Sequence, residues 1–333
     1  MVLTPESRIL VTGGAGFIGS AIVWELNRRG CENIVIADRL GTDEKWRNLV
    51  PLKFADYIDG LDLLAQLPKS GAGGLPRFDH IIHLGACSAT TEKDSDYLMR
   101  NNFDYTRQLC DWALSEGTRF VYASSAATYG DGAHGMDDRL ADLSLLRPLN
   151  MYGYSKHLFD QYAAQRGWLD KIVGLKYFNV FGPNEDHKSD MRSVVHKSWG
   201  QIRDTGRIQL FRSHRPDYED GKQQRDFLYV KDAVQMTLHL AETSTAGGLF
   251  NLGSGVPHTW VDLAEAIFAA AGLPADIEFV DMPEQLRAKY QYFTCADIGK
   301  LRATGYQDNV TTLQDAVSDY VVNYLKDDKR LGD

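Results

Sequence analysis

The chain has little that would hold it in a membrane or cross-link it. No segment approaches the roughly 20 consecutive apolar residues of a membrane-spanning helix. The start "MVLTPESRILVTGG" puts an acid and a proline where a secretory leader needs a basic beginning and an unbroken apolar run. The expected location is the cytoplasm, with no membrane partner. Cysteine is scarce: Cys31, Cys87, Cys110 and Cys295 are widely spaced and form no CxxC pair, which argues against a disulfide framework or a zinc knuckle. His83 and Cys87 stand four apart, but in a strand-like run that would not keep them on one face, so no metal site is expected. Positive charge is in deficit, with 36 Lys and Arg against 45 Asp and Glu. A net charge of −9 argues against a nucleic-acid partner and requires any anionic ligand to be met by a local cluster.

What the chain does have is a repeating rhythm. At 333 residues it is long for one compact core, and two lobes are expected. "RILVTGGAGFIGSAIVWELNRRG" runs from an apolar strand through a glycine-rich turn into an amphipathic helix. "NIVIADR", "HIIHLGA" and "RFVYASSAATYG" read as further buried strands, with helical patterns between them. Alternation of this kind predicts a Rossmann-type, doubly wound parallel sheet of the α/β class, joined to a smaller α/β substrate domain. The expected division is residues 1–178, with 226–254 and about 295–305 returning to the same domain; 179–225 plus 255–294 as the substrate domain; and a final helix and tail over 306–333. The glycine-rich stretch 68–77 reads as a surface connection.

"TGGAGFIG" superposes Gly13-x-x-Gly16-x-x-Gly19 and Gly14-x-Gly16-x-x-Gly19. Placed between a strand and a helix, this pattern fits a dinucleotide pyrophosphate facing a helix N-terminus. Asp38, 19 residues after Gly19 at the end of the next strand, falls where an adenosine ribose is held. Asp38 alone favours NAD, whereas Arg39 and Lys45 beside it suit a 2′-phosphate, so NADP is the expected cofactor and NAD the alternative.

Tyr152 and Lys156 in "NMYGYSK" share a helix face at i and i+4, with Tyr154 pointing elsewhere. A phenol beside a cation is drawn towards the phenolate and can exchange a proton with a carbinol while hydride moves to a nicotinamide. Ser125, at the end of the strand in "YASSAATYG", is placed to hydrogen-bond the same oxygen. Between residues 188 and 225, nine Lys or Arg face five Asp or Glu, a local surplus that suits a diphosphate-linked sugar.

The motifs TGGAGFIG, SSAATYG and YGYSK, in this order, resemble the extended short-chain dehydrogenase/reductase family of nucleotide-sugar epimerases and dehydratases. "LGACSATTEKDSDYLMRNNFDYT" and "KYFNVFGPNEDHKSDMRSV" bring the likeness closer, to the branch that inverts the sixth carbon of an ADP-linked heptose for the lipopolysaccharide core. The resemblance implies Tyr152, Lys156 and Ser125 as catalytic residues and Lys188 as a second acid/base. It further implies cofactor contacts from Phe17, Ile18, Leu84, Gly85, Ala86, Cys87, Ser88, Asn101, Val180 and Lys188, besides Lys156. Asn179, Asp190, Lys197, Phe211, Arg212, Ser213, Arg225 and Tyr290 would hold the ADP-sugar, and the protein would form a pentamer-based homo-oligomer. Arg39 stands where the family more often has asparagine, Asp190 and Lys197 where some members have serine and histidine, and the loop after Phe211 is longer than in some members. A UDP-sugar 4-epimerase of the same family is the nearest alternative. It shares the Tyr/Lys pair but has no need of Lys188.

Overall fold

The computed structural model describes residues 2–67, 75, 77–287 and 290–333. Most of the 68–77 connection lies outside them. The strands are β1 (Ile9–Thr12), β2 (Ile34–Asp38), β3 (Asp56–Asp59), β4 (His80–His83), β5 (Arg119–Ser125), β6 (Val173–Tyr177), β7 (Asn179–Phe181), β8 (Ile208–Phe211), β9 (Gln224–Tyr229), β10 (Gly248–Leu252), β11 (Pro257–Thr259) and β12 (Ile277–Val280).

Seven of them form one sheet in the order β10-β6-β5-β4-β1-β2-β3, with every pair parallel. Parallel strands buried on both faces have no solvent side to alternate towards, which is why every residue of β1, β2 and β4 is buried and none of the three alternates apolar with polar. Ile9, Val11, Ile34 and Ile36 pack under one layer of helices, and Leu10, Val35, Ile81 and Phe120 under the other. The order of connection reverses at β1, so the carboxyl ends of β1 and β4 open onto a crevice, the place where such sheets take ligands. There Thr12 pairs with both Ala37 and His83.

Two small sheets build the second lobe, β11-β9-β7 and β12-β8. Of the stretch 226–254 read as returning to the large sheet, the helix Val230–Glu242 packs there and β10 joins as its edge, whereas β9 pairs with β7 and β11. The apolar run of β9 fits either sheet, and the pairing is decided by the short β7, which leaves β6 after Phe178 and runs parallel to β9. Among the described residues no helix is long and apolar enough to cross a membrane, no disulfide forms, and no group of three metal-ligating side chains assembles.

Candidate active site

The glycine-rich turn is shaped by two close approaches. Gly13 takes φ +70°, and a β-carbon there would press on the backbone of Leu84 and Gly85. One on Gly19 would run into the Gly13 carbonyl, so the helix α1 (Phe17–Arg28) can lie against the turn only without a side chain there. Gly16 heads α1 and provides no side-chain cap, which leaves the first amides of the helix free to meet an anion. These residues open onto a cleft of about 860 Å³ whose wall also includes Asp38, Lys45, Leu84, Gly85, Ala86, Cys87 and Ser88. An adjoining hollow of about 710 Å³ shares Gly13, Asp38, Lys45 and Gly85–Cys87 and adds Arg39 and Asn101.

Asp38 is fully engaged. Its Oδ2 accepts from the Ala15 amide at 2.9 Å, and its Oδ1 accepts from the Arg39 amide at 2.7 Å and Lys45 Nζ at 2.9 Å. With Lys45 neutralising Asp38 and Arg39 exposed beside it, the charge repulsion an isolated aspartate would exert on a 2′-phosphate is offset here.

The helix Met151–Gln165, which carries Tyr152 and Lys156, begins at Asn150, whose side chain accepts from the Gly153 amide at 2.8 Å. Gly153 sits so close to the Ala127 carbonyl that a β-carbon would lie 2.8 Å from it, and this approach brings Tyr152 to Ser125 at the end of β5. Tyr152, Lys156 and Ser125 all line the cleft, while Tyr154 is 45% exposed on the outer face. Lys156 Nζ donates to the Ala123 carbonyl at 2.9 Å. Burial lowers its pKa to about 8, with Asp160 one turn on pulling it back up. The effect on Tyr152 is opposite to that expected from a lysine one turn away: burial raises the phenol above its ordinary value, and a hydrogen bond with Ser125 only opposes this. The Lys156 ammonium is turned towards Ala123.

Behind this face lies a buried support. Asp160 accepts from Tyr122 Oη at 2.8 Å, Ser124 Oγ at 2.7 Å and Lys176 Nζ at 3.0 Å, tying the helix Met151–Gln165 to β5 and β6. A second support joins the helix to the cofactor wall. Asn102 Oδ1 accepts from the Cys87 amide at 2.9 Å, while its Nδ2 donates to the Cys87 carbonyl and to Ser155 Oγ. His83 completes the frame between Thr12 Oγ1 (2.6 Å) and Thr106 Oγ1 (2.9 Å). Asn102 and Asp160 carry no short-range pattern, since their partners lie 15 to 53 residues away.

Across the cleft stand Asn179, Val180 and Lys188. Lys188 belongs to the turn Asp186–Met191, and its Nζ lies 5.2 Å from the ring centroid of Phe17. Burial lowers its pKa, against the pull of Glu185. The other expected sugar contacts are spread more widely. Asp190 and Lys197 are exposed and bonded to each other, Lys197 Nζ donating to the Asp190 carbonyl at 2.6 Å. Arg225 is buried, its guanidinium 5.6 Å from the Trp260 ring and 5.1 Å from that of Tyr290. Phe211 ends β8, and Arg212 and Ser213 follow it, all three outside the cleft wall, where Ser213 N donates to Asp220 Oδ1 and Arg212 Nε to the Phe279 carbonyl. Trp260, Gln291, His187 and Arg192 line the cleft although no sequence pattern singles them out.

A family model described as the NAD dependent epimerase/dehydratase family matches residues 9–253. This chain belongs to that family. Membership of a family described as NAD dependent implies a nicotinamide cofactor for this chain. Within the epimerase/dehydratase family, a protein of Nitratidesulfovibrio vulgaris strain Hildenborough named ADP-L-glycero-D-manno-heptose-6-epimerase is 52% identical over 317 residues, covering 95% of this chain and 97% of the relative. One of the same name from Fusobacterium nucleatum is 42% identical over 334 residues, covering 97% and 100%. Among solved structures, the Helicobacter pylori ADP-L-glycero-D-manno-heptose-6-epimerase is similar with a TM-score of 0.78 at 24% identity, covering 95% of this chain and 96% of that one. A UDP-N-acetylglucosamine 4-epimerase of Methanobrevibacter ruminantium reaches 0.80, also at 24% identity, with 97% and 99% covered. The solved structures establish the fold; the 6-epimerase name comes from the closer sequence relatives.

Proposed function

We propose that this protein interconverts ADP-D-glycero-D-manno-heptose and ADP-L-glycero-D-manno-heptose, using NADP held in the glycine-rich cleft. The observation that carries this reading is the presence of two separate proton-handling groups, Tyr152 and Lys188, on one cleft. The names of relatives 42% and 52% identical over nearly the whole chain agree with it.

The sixth carbon of the heptose is not beside a carbonyl, so its C–H cannot simply be deprotonated, and inversion there needs transient oxidation. A nicotinamide dinucleotide held by the Gly13–Gly19 turn, Asp38 and Lys45 would supply the hydride acceptor and donor for that carbon, so the overall reaction would be redox-neutral. The chain's own groups handle the proton and the geometry. Tyr152 Oη exchanges the hydroxyl proton in one orientation of the reacting carbon, and Ser125 hydrogen-bonds the same oxygen. Once the ketone has turned, its oxygen needs a donor on the other side, which Lys188 Nζ supplies. Burial brings the Lys188 ammonium nearer to neutrality, the direction an acid/base at physiological pH requires. Lys156 positions the tyrosine, and Arg225 stacked on Tyr290 and Trp260 offers a cation to the diphosphate end of the substrate.

The preference for NADP rests on the Asp38–Lys45 pair and on Arg39. The deciding experiment is incubation with ADP-D-glycero-D-manno-heptose followed by NMR of the sugar. Inversion at the sixth carbon supports the proposal, and turnover of UDP-glucose instead would select a 4-epimerase.

A further inference from the structure

The turn that carries Lys188 is gripped from outside the cleft. Asn184 (φ 78°), two residues before that turn, and Ser189 (φ 47°), within it, have positive φ without being glycine, so this path must be enforced by its surroundings. Asn184 is fully buried and uses every polar group of its side chain. Its Nδ2 donates to Ser20 Oγ on α1 at 2.9 Å, and its Oδ1 accepts from the Leu331 amide at 2.9 Å. The Asn184 carbonyl accepts from Asn48 Nδ2 at 3.1 Å. Two residues on, the Asp186 carboxylate meets His196 Nε2 at 3.0 Å and the Arg330 guanidinium at 3.8 Å.

Arg330 and Leu331 are themselves fixed. Leu331 is fully buried in the core beneath α1, and Arg330 is buried, its amide donating to Asp333 Oδ2 at 2.7 Å and its Nη1 to the Asp328 carbonyl at 3.1 Å. A segment nearly 150 residues further along the chain thus touches the Lys188 turn at two points, one backbone and one charged.

We propose that Arg330 and Leu331 are positioning residues for Lys188, holding its turn at the reach a second acid/base needs. This rests on the two-base reading given above. Neither residue lines the cleft, so their effect is expected in the step Lys188 serves and not in ligand binding. Loss of the grip lets the turn relax from its left-handed path. A shift of about 1 Å at a catalytic group can cost on the order of 100-fold in rate.

The test is a double-mutant cycle in the full chain, with ADP-heptose epimerisation, KM and co-purified nicotinamide measured for each protein. Arg330→Ala should lower kcat by roughly ten- to a hundredfold, with KM and cofactor content within about twofold of the parent. Arg330→Lys, which keeps the charge, should recover most of the loss. In a Lys188→Ala background, Arg330→Ala should remove nothing further. An equal loss in both backgrounds, or a loss that follows cofactor content, overturns the inference. If Arg330→Ala does not fold, Asp186→Asn breaks the same contact from the other side and is read in the same way. Full activity of Lys188→Ala would overturn the two-base reading and this inference with it. A normal Arg330→Ala beside an impaired Lys188→Ala overturns this inference alone.

Discussion

Burial acts in opposite directions on the two groups the mechanism needs, raising the Tyr152 phenol and lowering the Lys188 ammonium. Each shift is towards the neutral form of its group. Tyr152→Phe and Lys188→Ala are each expected to lower kcat by about 10²- to 10⁴-fold, and the double variant to abolish turnover, with NADP still bound in all three. Product NMR together with cofactor absorbance checks this, and full activity in Lys188→Ala would remove the second base from the mechanism. His83 offers a prediction about stability. Unfolded, it gains a proton as pH falls through 6.5; folded and fully buried, it stays neutral down to about 3. The unfolded chain holds the extra proton between those values, so the contribution of this residue falls as pH drops through that window, by on the order of 2 kcal/mol from pH 7 to 5. Urea unfolding at the two pH values should show a smaller drop for His83→Gln than for the parent, and equal drops would refute the assignment. Sequence pattern identified Tyr152 and Lys156 because their spacing is local. It could not see that Lys156 turns towards Ala123, nor that Asn102 and Asp160 hold the site together, since those partners are distant in the chain.

At the scale of elements, the turn between β1 and α1 depends on the absence of side chains. Gly19→Ala should displace the turn because the new methyl meets the Gly13 carbonyl, costing about 1–3 kcal/mol and most of the bound nicotinamide, read by urea midpoint and cofactor absorbance. Retention of full cofactor content would show that the turn can yield. The helix Met151–Gln165 is tied to β6 by a buried ion pair. Asp160→Ala strands Lys176, which is 1% exposed, and is expected to cost about 3–5 kcal/mol of unfolding free energy. Strand and helix identities followed from apolar periodicity and glycine position, as β1, α1 and the helix Met151–Gln165 illustrate. Strand partnership did not, because the apolar run of β9 has no feature that distinguishes the large sheet from the small one.

Over the whole molecule, the cleft joins the glycine turn of the large sheet to the Lys188 turn of the second lobe, so a ligand filling it should stabilise both. NADP at 100 times its dissociation constant should add about 2.7 kcal/mol by mass action. Thermal unfolding with equal concentrations of NADP and NAD should show the larger shift for NADP, and Arg39→Ala should narrow the difference; a larger shift with NAD would overturn the 2′-phosphate reading. The sequence by itself determined the alternating α/β architecture, the dinucleotide turn and the Tyr152–Lys156 pair, since each is written in residues a few positions apart, where backbone sterics and helical or strand period act directly. Only the tertiary structure decided that Asp38 is paired with Lys45, that burial raises the Tyr152 phenol, and that the Lys188 turn is gripped from residues 330 and 331. Those outcomes depend on desolvation and on contacts between distant segments, which exist only once the chain has closed on itself.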